Sequence, residues 1–145
     1  MTEEDRKLLL KELSARLPYF TKVQIKNEIV ILDSICDDDG YYFNFIGDDR
    51  EGVNIENIKP FLFPLSNMTE EQLIELKTFT DLSYEHNTLE LVEWDNNYKT
   101  LEFWLEEIPS YNVIKVFDWL NKNHFDYRGL IEKGLAIDAT NKNIY

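Results

Sequence analysis

The segment DWLNKNHFDYRGLIEKGLA, residues 118–136, carries the densest set of helix start and stop signals in the chain and decides how its C-terminal part folds. Just upstream, Ser110 follows a proline and can act as an N-cap, and apolar residues then recur at helical spacing as far as Leu120. We therefore predict a helix from Ser110 to about Asn123. Its apolar residues cover so much of the helix surface that we expect it to pack on two sides.

A second, shorter helix is indicated from Tyr127 to Lys133. Asp126 can cap it, because a carboxylate accepts the free N–H groups of a first helical turn and is favoured at the positive end of the helix dipole. Gly134 stands where a left-handed residue ends a helix, and Leu135 can fold back on Leu130 as in a Schellman motif. The segment thus predicts a C-terminal helical pair.

Four neighbouring residues, His124, Asp126, Tyr127 and Arg128, form the candidate functional cluster of the sequence. An imidazole can transfer protons near neutral pH, and a neighbouring carboxylate can orient it. The same four residues are also explained by structure alone, as a linker histidine, a helix cap, a packed tyrosine and an arginine paired with surface carboxylates. Because adjacency in sequence does not supply the converging geometry of acid–base catalysis, the structural interpretation is favoured and no catalytic residue is assigned.

Three stretches of the chain resemble one family of proteins. Residues 118–136 are similar to its C-terminal signature, with HFDYRGLIEKGLA at the centre, and residues 1–19 and 58–71 are similar to two further patches. The family consists of small uncharacterised proteins encoded by phages, prophages and mobile elements of gut anaerobic bacteria. The resemblance implies a phage or mobile-element origin and implies no activity, and residues 84–108 match no part of the family pattern.

The composition indicates a single folded domain. The chain has 145 residues, of which 43% are hydrophobic and 14% aromatic, with only 5 glycines and 4 prolines. Such a chain can bury a sizeable core and is not of low complexity. We expect one domain over 1–145, with a strand-rich part at 18–60, a mixed helical part at 68–136 and a polar tail at 137–145 that frays.

The formal charge of −13, from 28 acidic and 15 basic residues, restricts the partners of the protein. Nucleic-acid backbones and anionic membrane surfaces both attract clustered Lys and Arg, so both are disfavoured. No run approaches the roughly 20 apolar residues of a membrane span. A protein partner with a basic surface is the better electrostatic match, and we expect the protein in the cytoplasm of a bacterial host.

The single cysteine, Cys36, excludes an internal disulfide and a cysteine-based zinc cluster. Its apolar neighbours predict a small buried side chain. The sequence contains no phosphate-binding glycine loop, nucleophile elbow or zinc signature, so neither a metal nor a cofactor is predicted.

The fold class predicted from these patterns is α+β. Thr2 and Asp5 make a capping box for an N-terminal helix from Glu3 to Arg16. Short strands follow, ending in a compact segment at 58–60, and they indicate a small curled antiparallel sheet, of which an SH3-like barrel is one closed form. The predicted strands are 22–26, 28–36, 41–46 and 53–55.

The middle of the chain contains a connector, a helix and a hairpin. Residues 61–63 lie between two prolines and are predicted to be an extended connector packed against the core. Thr69 and Gln72 form a second capping box, which predicts a helix from Glu70 to about Phe79. Alternating apolar residues on both sides of an Asp-Asn-Asn turn predict a β-hairpin. Its strands are 88–94 and 98–105, with a helix over 99–107 as the rival interpretation of the second strand.

Acidic residues cluster in the turns on both sides of the third predicted strand. With Gly40 at its sixth position, an EF-hand loop would begin at Ile35 and end at Ile46, and neither residue can bind calcium, so this site is excluded. The turns can instead present closely spaced negative charge to a basic groove, as in an inhibitor that mimics a nucleic-acid backbone. The candidate acidic interaction face consists of Asp37, Asp38, Asp39, Asp48, Asp49 and Glu51.

Three functions are compatible with these patterns. The first is a non-enzymatic acidic module that binds a host or phage protein. The second is a small enzyme or small-molecule binder that uses residues 124–128, and the third is a component of a phage particle or of its assembly. The lack of a catalytic motif favours the first function over the second, and the oligomeric state stays open.

Overall fold

The computed structural model describes residues 1–37, 41–50, 52–80, 87–94, 98–105 and 110–145, with the backbone alone at 37, 87–94, 98–105 and 110–112. The chain forms two compact units, residues 1–62 with 129–145 and residues 63–128. It has the predicted α+β class. The helices and strands, in chain order, are α1 (Glu3–Arg16), β1 (Lys22–Ile25), β2 (Glu28–Asp37), β3 (Tyr41–Phe45), β4 (Ile58–Pro64), α2 (Glu70–Phe79), β5 (Asn87–Trp94), β6 (Tyr98–Leu105), α3 (Ser110–Lys122), β7 (Phe125–Asp126) and β8 (Ile137–Asp138).

Helix α1 opens the first unit with the predicted bounds. The Thr2 hydroxyl accepts a hydrogen bond from the Asp5 N–H at 3.1 Å, and the Asp5 carboxylate accepts one from the Thr2 N–H at 3.2 Å. This reciprocal pair satisfies backbone N–H groups that a first helical turn leaves free. Leu9 and Leu13 then direct one face of the helix into the core, where both are fully buried.

The strands of the first unit follow the antiparallel path β3-β2-β1-β4. Strand β2 pairs with β1 through its first residues and with β3 through its last ones, and the register with β3 shifts between Leu32 and Ser34. A bulge of this kind bends a strand and increases its twist. The predicted antiparallel sheet is therefore present, and its one long strand, β2, pairs with two neighbours in turn.

Two details of the predicted sheet are wrong. Residues 53–55 are not a strand, and the fourth strand is β4, which includes the residues assigned to a connector. Pro60 is tolerated in β4 because the described pairings there involve β1, whereas β7 and β8 pair with residues further along β4. Within the described residues, the strand path ends at β3 and does not close into an SH3-like barrel.

The C-terminal residues are held in the first unit, so the prediction that they fray is wrong. Strand β8 pairs in parallel with β4 at Phe61 and Leu62. The Tyr145 hydroxyl donates to the Phe61 carbonyl at 3.0 Å and accepts from the Lys22 N–H at 3.2 Å. Polar composition alone did not reveal this attachment, because it depends on one tyrosine that reaches two strands.

The core of the first unit lies between α1, the sheet and the C-terminal segment. Apolar side chains from all three contribute to it, so residues far apart in sequence stabilise one another. Its buried members include Leu9, Leu13, Val23, Leu32, Phe43, Phe45, Ile58, Leu62, Leu130 and Leu135.

The first α-helix of the second unit is the predicted helix α2. The Thr69 hydroxyl accepts from the Gln72 N–H at 3.2 Å, and the Gln72 amide oxygen accepts from the Thr69 N–H at 3.0 Å, so the second capping box is confirmed. Strands β5 and β6 pair as an antiparallel hairpin with Trp94 opposite Tyr98. The strand interpretation of β6 is therefore confirmed over the helical one, and the predicted turn at 95–97 lies outside the described residues.

Aromatic rings form the centre of the second unit. The Trp119 ring of α3 stacks on Phe125, with ring centroids 5.8 Å apart and planes 9° from parallel. The Phe63 ring is tilted against the Phe125 ring, with centroids 6.4 Å apart. The Trp119 indole N–H donates to the Glu75 carboxylate at 3.3 Å and so links α3 to α2. These contacts fix the position of the chain immediately after α3.

Residues 127–133 form bends and turns, so the predicted second helix of the C-terminal pair is wrong. Asp126 belongs to β7, where it lies opposite Pro64. Gly129 has a φ of +69°, a left-handed value that the interior of a right-handed helix does not contain. Pairing with β4 and the left-handed glycine therefore replace the helix.

The predicted ending of that segment is nevertheless confirmed. The Leu135 N–H donates to the Leu130 carbonyl at 2.9 Å, and the Gly134 N–H donates to the Ile131 carbonyl at 3.0 Å. Gly134 has a φ of +69°. The two bonds are those of a Schellman motif, here closing a single turn.

Candidate functional site

Strand β3 lies at one end of the described strand path of the sheet. In the described part of the chain, its pairings are those with β2 and a single bridge between Phe45 and Asp48. Phe43 and Phe45 point into the core, whereas Tyr41 and Tyr42 each keep 47% of their surface exposed. The strand thus combines a buried face with exposed aromatic rings and a second edge that no described strand occupies.

Acidic residues that the structure describes lie at both ends of this strand. Asp37 of β2 is opposite Tyr41 at the start of β3, and the Asp48 N–H donates to the Phe45 carbonyl at 3.3 Å at its end. Five residues of antiparallel strand span roughly 17 Å. Two members of the predicted acidic face, Asp37 and Asp48, therefore lie at opposite ends of this strand.

Asp48 is bound within the protein. Its carboxylate accepts hydrogen bonds from the Arg50 Nε at 2.8 Å and from the Arg50 backbone N–H at 3.0 Å. These bonds, the side-chain bond first, lower the pKa of the Asp48 carboxyl below its usual value. Arg50 also binds Glu28, and bonds to both carboxylates raise the pKa of the Arg50 guanidinium. This end of the strand therefore carries a local ion-pair network beside its exposed acidic residue, Asp49.

The remaining members of the predicted acidic face are less completely described. Asp38, Asp39 and Glu51 lie outside the described residues, and Asp37 is described through its backbone alone. Their charges are fixed by the sequence.

Cys36 lies beside this strand and is exposed, so the prediction of a buried cysteine is wrong. It is opposite Tyr42, and the Asn44 side-chain amide donates to Ser34 Oγ at 2.9 Å and to Cys36 Sγ at 3.8 Å. Alternation along a strand places these polar residues on the face away from Phe43 and Phe45. The apolar neighbours of Cys36 in sequence face the core, and Cys36 itself does not.

The predicted cluster at 124–128 lies in the second unit and begins with a left-handed residue. His124 has a φ of +57° and is 8% exposed, and its carbonyl accepts from the Phe63 N–H at 2.8 Å. A residue in this conformation ends a helix, a position more often filled by glycine or asparagine. His124 therefore turns the chain from α3 into β7.

The other three residues of the cluster make local contacts. Asp126 is buried and its carboxylate accepts from the Arg128 N–H at 3.3 Å, which closes a tight turn. The Tyr127 hydroxyl donates to the Asn121 side-chain oxygen at 3.1 Å, and the Arg128 guanidinium lies 4.8 Å from the centre of the Tyr127 ring. The cluster thus extends from the turn after α3, through β7, to the two residues that follow β7, where an arginine stacks on a tyrosine.

A concave site of about 490 Å³ lies in the first unit between the β1–β2 turn and the loop after β3. It contains two cationic side chains and two amides, and sequence analysis did not identify it because its residues come from separate segments. Its lining residues are Ile25, Lys26, Glu28, Arg50, Gly52, Val53, Asn54 and Asn57.

Neither a metal centre nor a membrane span is found in the described part of the chain. No group of three or more His, Cys, Asp or Glu residues in that part is placed to hold a metal ion. No helix among the same residues is both long and apolar enough to cross a membrane.

Comparisons of the chain with models of protein families, with curated proteins and with solved structures find no match.

Proposed function

We propose that this protein is a non-enzymatic interaction module that binds a basic surface of a partner protein through β3 and the acidic segments at its ends. One observation supports the proposal: Asp37 and Asp48 lie at opposite ends of β3, a strand at the end of the described strand path that carries two exposed tyrosines. Tyrosine is enriched in the centres of protein interfaces, and charged residues at an interface rim direct encounter and orientation.

The charge at the two ends supports a basic partner. Residues 37–39 carry three carboxylates, and residues 48–51 carry three carboxylates and one guanidinium, for formal charges of −3 and −2. A chain of net charge −13 repels other acidic surfaces, including nucleic acids, and attracts basic ones. Charge attraction would therefore speed the association of a basic protein surface that contacts both ends, and would fix its orientation.

The family resemblance supports a more specific form of this proposal. In it, the partner is a host or phage protein in the bacterial cytoplasm, and the acidic segments occupy a groove that otherwise accepts a nucleic-acid backbone. Consecutive acidic residues at 37–39 supply the dense negative charge that such a groove recognises.

The contacts at 124–128 give less support to an enzyme. Tyr127 directs its hydroxyl to Asn121, Arg128 stacks on Tyr127, and the Asp126 carboxylate accepts from the backbone of Arg128. These contacts stabilise a chain connection, which is the structural interpretation of the cluster. We therefore assign no reaction to it.

The experiment is affinity capture from bacterial lysate at low and high salt with two matched triple variants. Asp37→Asn, Asp38→Asn and Asp39→Asn in one variant, and Glu4→Gln, Glu71→Gln and Glu132→Gln in the other, each change the formal charge from −13 to −10. We expect a salt-sensitive partner that the wild type and the glutamate variant retain and the aspartate variant loses. Equal retention by both variants would contradict the proposal.

A further inference from the structure

We infer that the outer face of the sheet in the first unit is a docking surface for an amphipathic helix of a partner protein, one that carries carboxylates on one flank. The surface lies on the side of β1 and β2 that faces away from the core. It is separate from the acidic residues at the ends of β3, so it does not depend on the proposed function.

Three isoleucines form the centre of this outer face. Leu32 of β2 is buried in the core, so the alternation of a strand turns Ile29 and Ile31 the other way. Ile29 is 52% exposed and Ile31 is half-buried. The N–H of Ile46, directly after β3, donates to the Ile31 carbonyl at 3.0 Å, and Ile46 is 49% exposed. We call these three side chains the isoleucine patch.

The sequence of β2 is apolar on both faces of the sheet. Between Glu28 and Asp33 it reads IVIL, in which the valine and the leucine pack on the core and the two isoleucines face outwards. Antiparallel strands with one face in water usually alternate apolar and polar residues, whereas a continuous apolar run is typical of a strand covered on both faces. Half of the Ile29 surface faces solvent, so a partner that covers this face would bury apolar area there.

Phe20 lies at the end of the patch and provides a second, independent indication of a partner. The Leu32 N–H donates to the carbonyl of Thr21 at 3.0 Å, which places the preceding residue, Phe20, beside this end of β2. Phe20 is 66% exposed and has a left-handed φ of +53°. Strained residues of this kind cluster where a ligand is clamped. A partner that buries the Phe20 ring would compensate for the strain.

Lysines border the patch on its β1 side. Lys22 of β1 is opposite Ile31, and Lys59 of β4 is opposite Gln24 of β1. The Lys22 ammonium lies 5.6 Å from the centre of the Tyr145 ring, which holds it at this border. The border is thus cationic in a chain whose net charge is −13. Carboxylates on the adjoining flank of a partner would meet it favourably.

The dimensions of the surface suit a helix. From Ile29 to Leu32, the residue bonded to Thr21, β2 rises roughly 10 Å. About seven residues of helix cover the same distance, so apolar residues at i, i+3 or i+4 and i+7 would contact the patch along its length. A second copy of this chain would bring a further charge of −13, whereas a helix with two glutamates and an otherwise neutral surface adds little repulsion.

The test is calorimetric titration of the full chain with two synthetic peptides at about 0.15 M salt, where charges more than about 8 Å apart are screened. The probe is LAQLEAQLAQLEAQ, with an apolar stripe and glutamates on one flank, and the control is LAQLKAQLAQLKAQ, both with blocked ends. The net charge of the chain favours the lysine peptide. We expect the glutamate probe to bind at least roughly tenfold more tightly, because its carboxylates meet Lys22 and Lys59.

Variants of the chain locate the binding. Ile29→Thr with Ile46→Thr keeps β-branched side chains and removes apolar surface, and it should weaken binding of the probe by roughly tenfold or more. Phe20→Ala should weaken it as well. Ile74→Thr is the matched control, since this exposed isoleucine belongs to α2, and it should leave the affinity unchanged. Urea denaturation of each variant checks that the fold is retained.

Several results would overturn the inference. The isoleucine patch is not the binding site if the double threonine variant binds the probe as tightly as the wild type. The lysine border does not select the partner if the lysine peptide binds as well as the probe. Failure of the probe to bind, or a dimer of the chain that the double variant dissociates, would exclude an acidic helix as the occupant. The acidic residues at the ends of β3 are tested separately, by affinity capture.

Discussion

Glu12 and Arg16 lie one helical turn apart in α1 and form an ion pair from which solvent is fully excluded. The Arg16 Nε donates to the Glu12 carboxylate at 2.6 Å, and both side chains have no exposed surface. The Arg16 carbonyl accepts from the Thr21 hydroxyl at 3.2 Å, which connects the end of the helix to the residue before β1. The first unit is therefore built around a charge pair as well as an apolar core.

Removing one member of this pair leaves the other charge buried and uncompensated. We expect Glu12→Leu to lower the free energy of unfolding by about 3–5 kcal/mol, and the double variant Glu12→Leu with Arg16→Met to recover most of it. Urea denaturation measures both values. Lys7→Gln removes an exposed pair with Glu3 and is the control, with little expected change. A Glu12 variant as stable as the wild type would show that the pair contributes nothing.

Tyr145 should make stability fall at high pH. Although 43% of the residue is exposed, its hydroxyl lies between Lys22 and Phe61, and burial raises its pKa from 10.0 to about 12. The folded protein therefore holds this proton more tightly than the unfolded chain does, so the stabilisation is complete below pH 10 and is lost as the pH rises towards 12. We expect Tyr145→Phe to cost about 2 kcal/mol at neutral pH, since both hydrogen bonds of the hydroxyl are lost. Urea denaturation at several pH values between 10 and 12 should show that the wild type and Tyr145→Phe become more similar in their free energy of unfolding. A difference that stays constant with pH would contradict the raised pKa of Tyr145.

Phe20 offers a stabilising substitution. It has a φ of +53°, and 66% of its surface is exposed, so it bears the strain of the left-handed conformation with little compensating burial. We expect Phe20→Gly to raise the free energy of unfolding by about 0.5–1 kcal/mol, the relief of strain being partly offset by the greater freedom of glycine in the unfolded chain. Phe20→Ala is the matched control, because it keeps the Cβ atom that causes the strain. A gain in alanine equal to that in glycine would exclude backbone strain as the cause.

Arg50 should control the ionisation of Asp48. Hydrogen bonds from the Arg50 side chain and backbone lower the pKa of this carboxyl. A lowered pKa stabilises the folded state above the ordinary carboxyl pKa, and the stabilisation is lost as the pH falls through the lowered value. We expect Arg50→Gln to raise the pKa of Asp48 towards its usual range, as followed by the NMR shift of its carboxyl carbon. Arg128→Gln is the control, and a pKa of Asp48 that both variants leave unchanged would exclude Arg50 as the cause.

Local signals in the sequence predicted the elements whose structure is determined locally. The capping boxes at Thr2 and Thr69 gave the starts of α1 and α2, and alternation gave the hairpin of β5 and β6. Strand β4 was missed because its prolines indicate a connector rather than a strand. The structure shows that β4 is a strand, because β1, β7 and β8 each pair with a different part of it.

At the candidate sites, too, local features were predictable from the sequence and features that depend on distant pairing were not. Acidic residues on both sides of β3 were visible in the sequence, but the place of β3 at the end of the described strand path depends on strand order, which sequence does not give. Gly134 was correctly predicted as the left-handed residue that ends this segment, whereas Asp126 belongs to β7 and caps no helix. The helix between them was wrong because pairing of β7 with β4 and the φ of Gly129 override local helix signals.

Hydrogen exchange of backbone amides, measured for the chain alone and bound to the partner recovered by affinity capture, tests the central claim most directly. We expect binding to slow exchange in β3 and to leave α2 unchanged. Slower exchange confined to α2 or α3, with β3 exchanging as before, would contradict the claim that the acidic ends of β3 form the binding site.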